Sequence, residues 1–85
     1  MNRQGYLREY FGILIGKKAY VKIYATSREE ASSLFNKNYK FDEVGNVYNS
    51  KEFEYYSPVR FKDFIQTSVI NEDLRMQQLR RRGIV

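Results

Sequence analysis

Eighty-five residues with 15 bases against 10 acids, and a net charge of +5, describe one small basic domain whose core is near the size at which a fold stands alone. There is no cysteine and no histidine, which excludes disulfides, iron–sulfur clusters, thiol catalysis, the usual zinc ligands and the usual general base. Eight Tyr and six Phe supply enough bulky apolar surface for a folded chain, while no run approaches the roughly 18–20 apolar residues of a membrane span.

Residues 1–9 are polar, with Tyr6 and Leu7 as the only bulky apolar side chains after Met1, and read equally as ordered or as a frayed lead-in. The stretch lacks the apolar core of a secretory signal, so the cytoplasm of the producing or host cell is the expected location. Tyr10–Ile15 and Ala19–Ala25 are β-branched and aromatic runs, separated by Gly16, Lys17 and Lys18. They predict a β-hairpin with Gly16 supplying the positive φ of the turn. In the second run Tyr20, Lys22 and Tyr24 alternate with Val21, Ile23 and Ala25, which gives one polar and one buried face. The first run is apolar on both sides and predicts a central strand. Thr26–Glu30 then starts a helix through a capping box, with Ser27 and Glu30 or Thr26 and Glu29 as the pair. Ala31, Leu34 and Phe35 fall on one helical face, turned towards the sheet, and residues 36–38 end the helix.

Beyond this unit, residues 41–48 and 52–56 read as a second antiparallel pair with Asn49, Ser50 and Lys51 as its turn, and Gly45-Asn46 as a competing turn. Ser57-Pro58 reads as the opening of a second helix that carries Phe61, Phe64 and Ile65 at helical spacing. Asn71, Glu72 and Asp73 form a further N-cap, which either splits that helix in two or marks a polar turn, and Gly83 is its natural stop. The expected fold is thus α+β, a single domain over residues 1–85 in the order ββαββα. Its sheet is expected to be antiparallel with the helices packed on one face, and its C-terminal helix to divide near Asn71.

Nothing in this pattern favours catalysis. The carboxylate pairs Glu29/Glu30 and Glu72/Asp73 suit helix N-termini, and Asp42/Glu43 and Glu52/Glu54 suit solvated strand faces. No acid-x-Lys on an apolar strand suggests a nuclease, YFGILIG lacks the spacing of the GIY-YIG nucleases, and no phosphate-cradling glycine loop is present. A non-enzyme without cofactor or metal is expected.

Binding is the better reading. Residues 74–85 carry Arg75, Arg80, Arg81 and Arg82 and no acid, whereas the other 73 residues hold 11 bases and 10 acids. Those guanidinium groups suit phosphates, and Lys17, Lys18 and Lys22 interleaved with Tyr20 and Tyr24 suit a single nucleic-acid strand. The leading expectation is a small basic module contacting nucleic acid or a nucleoprotein. Cations at a helix C-terminus also complement its dipole, which is the competing account of the tail. Tyr48, Phe53, Tyr55 and Tyr56 form a second candidate site, of the kind that suits a protein interface. The alternative expectation is therefore an inhibitor or assembly subunit that binds a larger protein, with self-association as a further outcome. No membrane partner is expected. A chain poor in His, Cys and Trp but rich in Tyr, Asn and Lys has the character of a small viral or mobile-element protein.

Overall fold

Strands β1 (Arg8–Leu14) and β2 (Ala19–Ala25) form the expected hairpin, followed by α1 (Arg28–Asn38), β3 (Val44–Asn49), α2 (Ser50–Arg60), β4 (Ile65–Ile70) and α3 (Glu72–Arg81). The computed structural model describes the backbone of residues 6–81 and the side chains of residues 6–79. The sheet order is β3-β1-β2-β4. β1 pairs antiparallel with both β2 and β3, whereas β4 pairs parallel with β2. β2, β3 and β4 therefore run one way and β1 alone runs back.

This topology gives the domain two different ends. At one end Leu14 pairs with Ala19 and with Val44, and Ala19 pairs with Ile65, so all four strands stop at one level. Residues 15–18, 39–43 and 61–64 connect the elements there, and we call it the loop end. At the opposite, helix end, β2, β3 and β4 pass into α1, α2 and α3 within at most two residues.

Adjacent residues of a strand point to opposite faces, and β1 shows where the helices sit. A Cβ at Gly12 would lie 2.8 Å from the Phe35 ring of α1. Neighbouring Phe11 instead stacks on Phe53 of α2, ring centroids 4.3 Å apart. The two helices therefore cover opposite faces. On the α1 face, Tyr10 and Leu14 join Val21, Ile23, Ala25, Ala31, Phe35 and Val47 in a closed apolar core. Only glycine at position 12 lets the ring of Phe35 rest against the backbone of a central strand.

Local signals account for the secure half. Ser27 caps α1, accepting from the backbone N–H of Glu30 at 3.1 Å. The return bond goes one residue further back, with the Glu30 carboxylate accepting from the Thr26 N–H at 2.6 Å and its hydroxyl at 2.7 Å. β1 is central, as its two apolar sides predict. The hairpin turn is a 3-10 turn over Ile15–Lys17, and the left-handed residue is Lys18 (φ 49°), not Gly16.

The second half departs from expectation. The domain is α+β, but its sheet is mixed and its helices lie on both faces. Residues 52–56 are not a strand of a second hairpin. They belong to α2, because Asn49 acts as a helix cap and not as a turn residue. Its side chain accepts from the Glu52 N–H at 2.8 Å, and the Glu52 side chain accepts from the Asn49 N–H at 3.0 Å. β3 consequently pairs with β1. Ser57-Pro58 opens no helix but lies in the last turns of α2, which stops at Arg60. Residues 65–70, IQTSVI, leave the expected helix and pair with β2, as their β-branched side chains favour. The expected division near Asn71 is a strand–helix junction. Asn71 is left-handed (φ 66°), its side chain donates to the Tyr24 carbonyl at 3.1 Å, and its carbonyl accepts from the Arg75 N–H.

The α2 cap makes stability pH-dependent. The bond from the Asn49 backbone holds the Glu52 pKa below the usual glutamate value against the opposing effect of desolvation, aided by the Arg28 guanidinium 2.9 Å from its carboxylate. A depressed folded-state pKa contributes stability that is full above the unfolded value and fades as pH falls through the folded one. Acidification below the usual glutamate range is expected to loosen the start of α2. In Glu52→Gln the cap bonds persist and this part of the acid response disappears. Amide shifts of residues 49–54 followed through an acid titration check it, and an unchanged acid profile in the variant would count against the assignment.

Candidate interaction surfaces

The second face of the sheet is built by the period-two pattern of β1 and β2. Phe11 and Ile13 of β1 and Tyr20, Lys22 and Tyr24 of β2 share it, because Phe11 pairs with Lys22 and Ile13 with Tyr20. Phe53 of α2 seats on this face, its centroid 4.3 Å from Phe11 and 4.7 Å from Tyr20. Phe61 stacks behind Phe53 at 6.0 Å and meets Tyr48 at 5.7 Å and Phe64 at 5.1 Å. Tyr56 packs on Tyr48 and Tyr55, with the Arg60 guanidinium 4.4 Å from its ring centroid. The four residues expected as an interface, Tyr48, Phe53, Tyr55 and Tyr56, are thus gathered into one continuous ring cluster. Phe11, Tyr20, Phe61 and Phe64 complete it, and the Asn49-x-x-Glu52 cap is the sequence signal for Phe53, Tyr55 and Tyr56 sharing one helix, with Phe61 and Phe64 at its exit.

The cluster is not closed. No residue of α2 is buried, and Tyr55 and Val59, one turn apart on its outer side, are 77% and 81% exposed. Beside them an open groove of about 500 Å³ runs between α2 and the sheet, lined by Tyr20, Phe53, Ser57, Pro58, Phe61 and Phe64 and flanked by Glu54 and Lys62. More broadly, every buried residue among those described lies between Tyr10 and Val47.

The basic residues divide differently. Lys17 and Lys18 stand at the loop end, and Lys17 pairs with Asp42 at 3.2 Å. Lys22 lies 3.9 Å from the Glu9 carboxylate. Arg75 holds α3 to the start of β1, donating to the Leu7 carbonyl at 3.2 Å and to Gln78 at 3.4 Å. Lys22 and Arg75 also meet at one ring, 5.9 and 5.7 Å from the centroid of Tyr24. β2 separates this group from Lys17 and Lys18 by roughly 20 Å. Arg80 and Arg81 end the backbone of α3. Their side chains, and Arg82, lie outside the described residues.

The acidic pairs are dispersed as well. Glu29 and Glu30 occupy the first turn of α1, and Glu72 and Asp73 that of α3. Among the described residues no group of three or more carboxylates is placed to hold a metal ion. No helix among them is long and apolar enough to cross a membrane. Comparison with protein-family models, with curated proteins and with solved structures finds no match to this chain.

Proposed function

We propose that this protein is a non-catalytic binding module that engages a larger protein through the aromatic outer side of α2 and the groove beside it. One observation carries the reading: the described chain after Val47 buries no residue although it holds six of the fourteen aromatic side chains. Rings left half-covered by their own domain suit an interface, where rigid aromatics provide contact area at little entropic cost. An inhibitor or assembly subunit working in the cytoplasm is the role this surface fits.

A second reading, nucleic-acid binding, is favoured by the meeting of Lys22 and Arg75 at Tyr24 beside the arginine-rich end of α3. It places the contact at the helix end and leaves Lys17 and Lys18 out of it.

One experiment separates the two. Partner capture from the native host is compared for the full chain, for Tyr55→Ser/Val59→Ser and for Arg80, Arg81 and Arg82 changed together to Gln, each checked for folding by circular dichroism. Loss of a captured protein in the α2 variant alone, with affinity lowered about tenfold or more per anchor residue, is the expected result. Capture unaffected by the α2 changes, together with salt-sensitive oligonucleotide binding lost in the Gln variant, would replace the first reading with the second.

A further inference from the structure

We infer that the loop end of the sheet docks on an anionic lipid surface. Two large apolar side chains stand exposed there on two different connections, Phe41 on the α1–β3 loop and Ile65 at the entry to β4, 92% and 72% exposed. Ile15 of the hairpin turn leans back against Gly45 of β3. The connections are held as one unit. The Ile15 N–H donates to the Glu43 carbonyl at 3.1 Å, the Ile65 N–H donates to the Lys18 carbonyl at 3.2 Å, and Lys17 pairs with Asp42. Because the four strands stop at one level, their loops emerge from one end of the domain.

Charge agrees with this geometry. Lys17, Lys18, Lys40 and Lys62 lie in the same loops, and the last turns of α1 and α2 add Lys37 and Arg60. Asp42, Glu43 and Asp63 are the opposing acids at this end, half as many as the bases. The Lys40 ammonium sits 5.3 Å from the centroid of the Phe41 ring. At the helix end the acids that open α1, α2 and α3 stand among Arg8, Arg28, Lys51 and Arg75, so the charge there is mixed, whereas the loop end carries bases in excess beside its apolar tips. Apolar tips within a ring of lysines match the interfacial layer of an anionic leaflet, which takes up rings and aliphatic groups while its headgroups meet the cations. Such a contact needs no spanning segment. Of the two tips only Phe41 is a ring, and Ile65 offers nothing for a base to stack on, so a nucleic-acid strand suits this end less well.

The test is co-sedimentation of the full chain with vesicles of phosphatidylcholine, with and without phosphatidylserine, at low and near-physiological salt. Partition onto the phosphatidylserine vesicles is expected, weakening as salt rises. Phe41→Ser, at an exposed site, is expected to lower partition about tenfold or more without unfolding the chain. Lys40→Gln/Lys62→Gln is expected to lower it about fivefold per lysine and to flatten its salt dependence. Tyr55→Ser/Val59→Ser should leave partition unchanged, so failure here is distinguishable from failure of the α2 interface. Absence of partition that depends on phosphatidylserine, partition indifferent to Phe41→Ser, or displacement from vesicles by an oligonucleotide would each overturn the inference.

Discussion

Phe35→Ala is expected to cost about 3–5 kcal/mol, close to the whole stability of a domain this size. Phe35 is 1% exposed and sits where α1 crosses the sheet, with its ring against the backbone of Gly12 and 5.5 Å from the Tyr39 ring. Removing it leaves a cavity between a helix and a central strand that neither can fill by a small shift. Urea unfolding followed by circular dichroism reads the effect, and a loss below about 1 kcal/mol would show that the core is not closed by this ring. A partner substitution makes the test specific. Gly12→Ala alone places a methyl 2.8 Å from the ring and should destabilise by about 1–3 kcal/mol. In the Phe35→Ala background the same methyl enters vacated space, so its cost should vanish or change sign. Simple additivity of the two changes would contradict the packing described.

Phe53→Ala is expected to act locally. Phe53 is the ring by which α2 meets both Phe11 and Tyr20, and Phe61 stacks on its other side. Its loss should cost about 2–4 kcal/mol, less than full burial would give, because the side chain is only partly covered. The core on the α1 face draws on nothing from α2 or the aromatic exit, and beyond Val47 only the half-buried Ile70 of β4 packs against it among the described residues. Amide exchange should therefore quicken over α2 and the aromatic exit at residues 61–64, while β1, β2 and α1 keep their protection. Uniform acceleration across all elements would instead mean that the two faces unfold as one unit.

These contrasting responses follow the division between what the residues announced and what they did not. The hairpin and α1 were legible because each rests on neighbours in sequence: alternation in β2, the Ser27 cap, and the Ala31/Leu34/Phe35 face. Residues 49–56 carry two competing signals. Glu52, Phe53, Glu54, Tyr55 and Tyr56 alternate as a strand would, yet Asn49 and Glu52 stand at capping-box spacing, and the cap prevails by satisfying backbone donors that a turn leaves open. In residues 61–70 the spacing of Phe61, Phe64 and Ile65 suggested a helix. Strand β4 forms there because Val21 and Ile23 offer a parallel edge far away in sequence, which no local window shows. The rings expected as an interface, Tyr48, Phe53, Tyr55 and Tyr56, lie together, but on β3 and a helix and not on a hairpin. The basic group divided because Lys17 and Arg75 lie at opposite ends of the sheet.

Strand β4 has one more consequence. It is an edge strand of six residues without a single charge or proline, IQTSVI, the composition that invites another chain to add on and continue the sheet into an aggregate. No lysine guards it. The interruption in its pairing with β2, between Gln66 and Ser68, takes that part. An extra residue at Thr67 bends the strand, so its outward donors and acceptors fall out of step with any straight incoming strand. An irregularity that weakens one pairing within the domain thereby protects it against the endless repetition of that pairing between molecules.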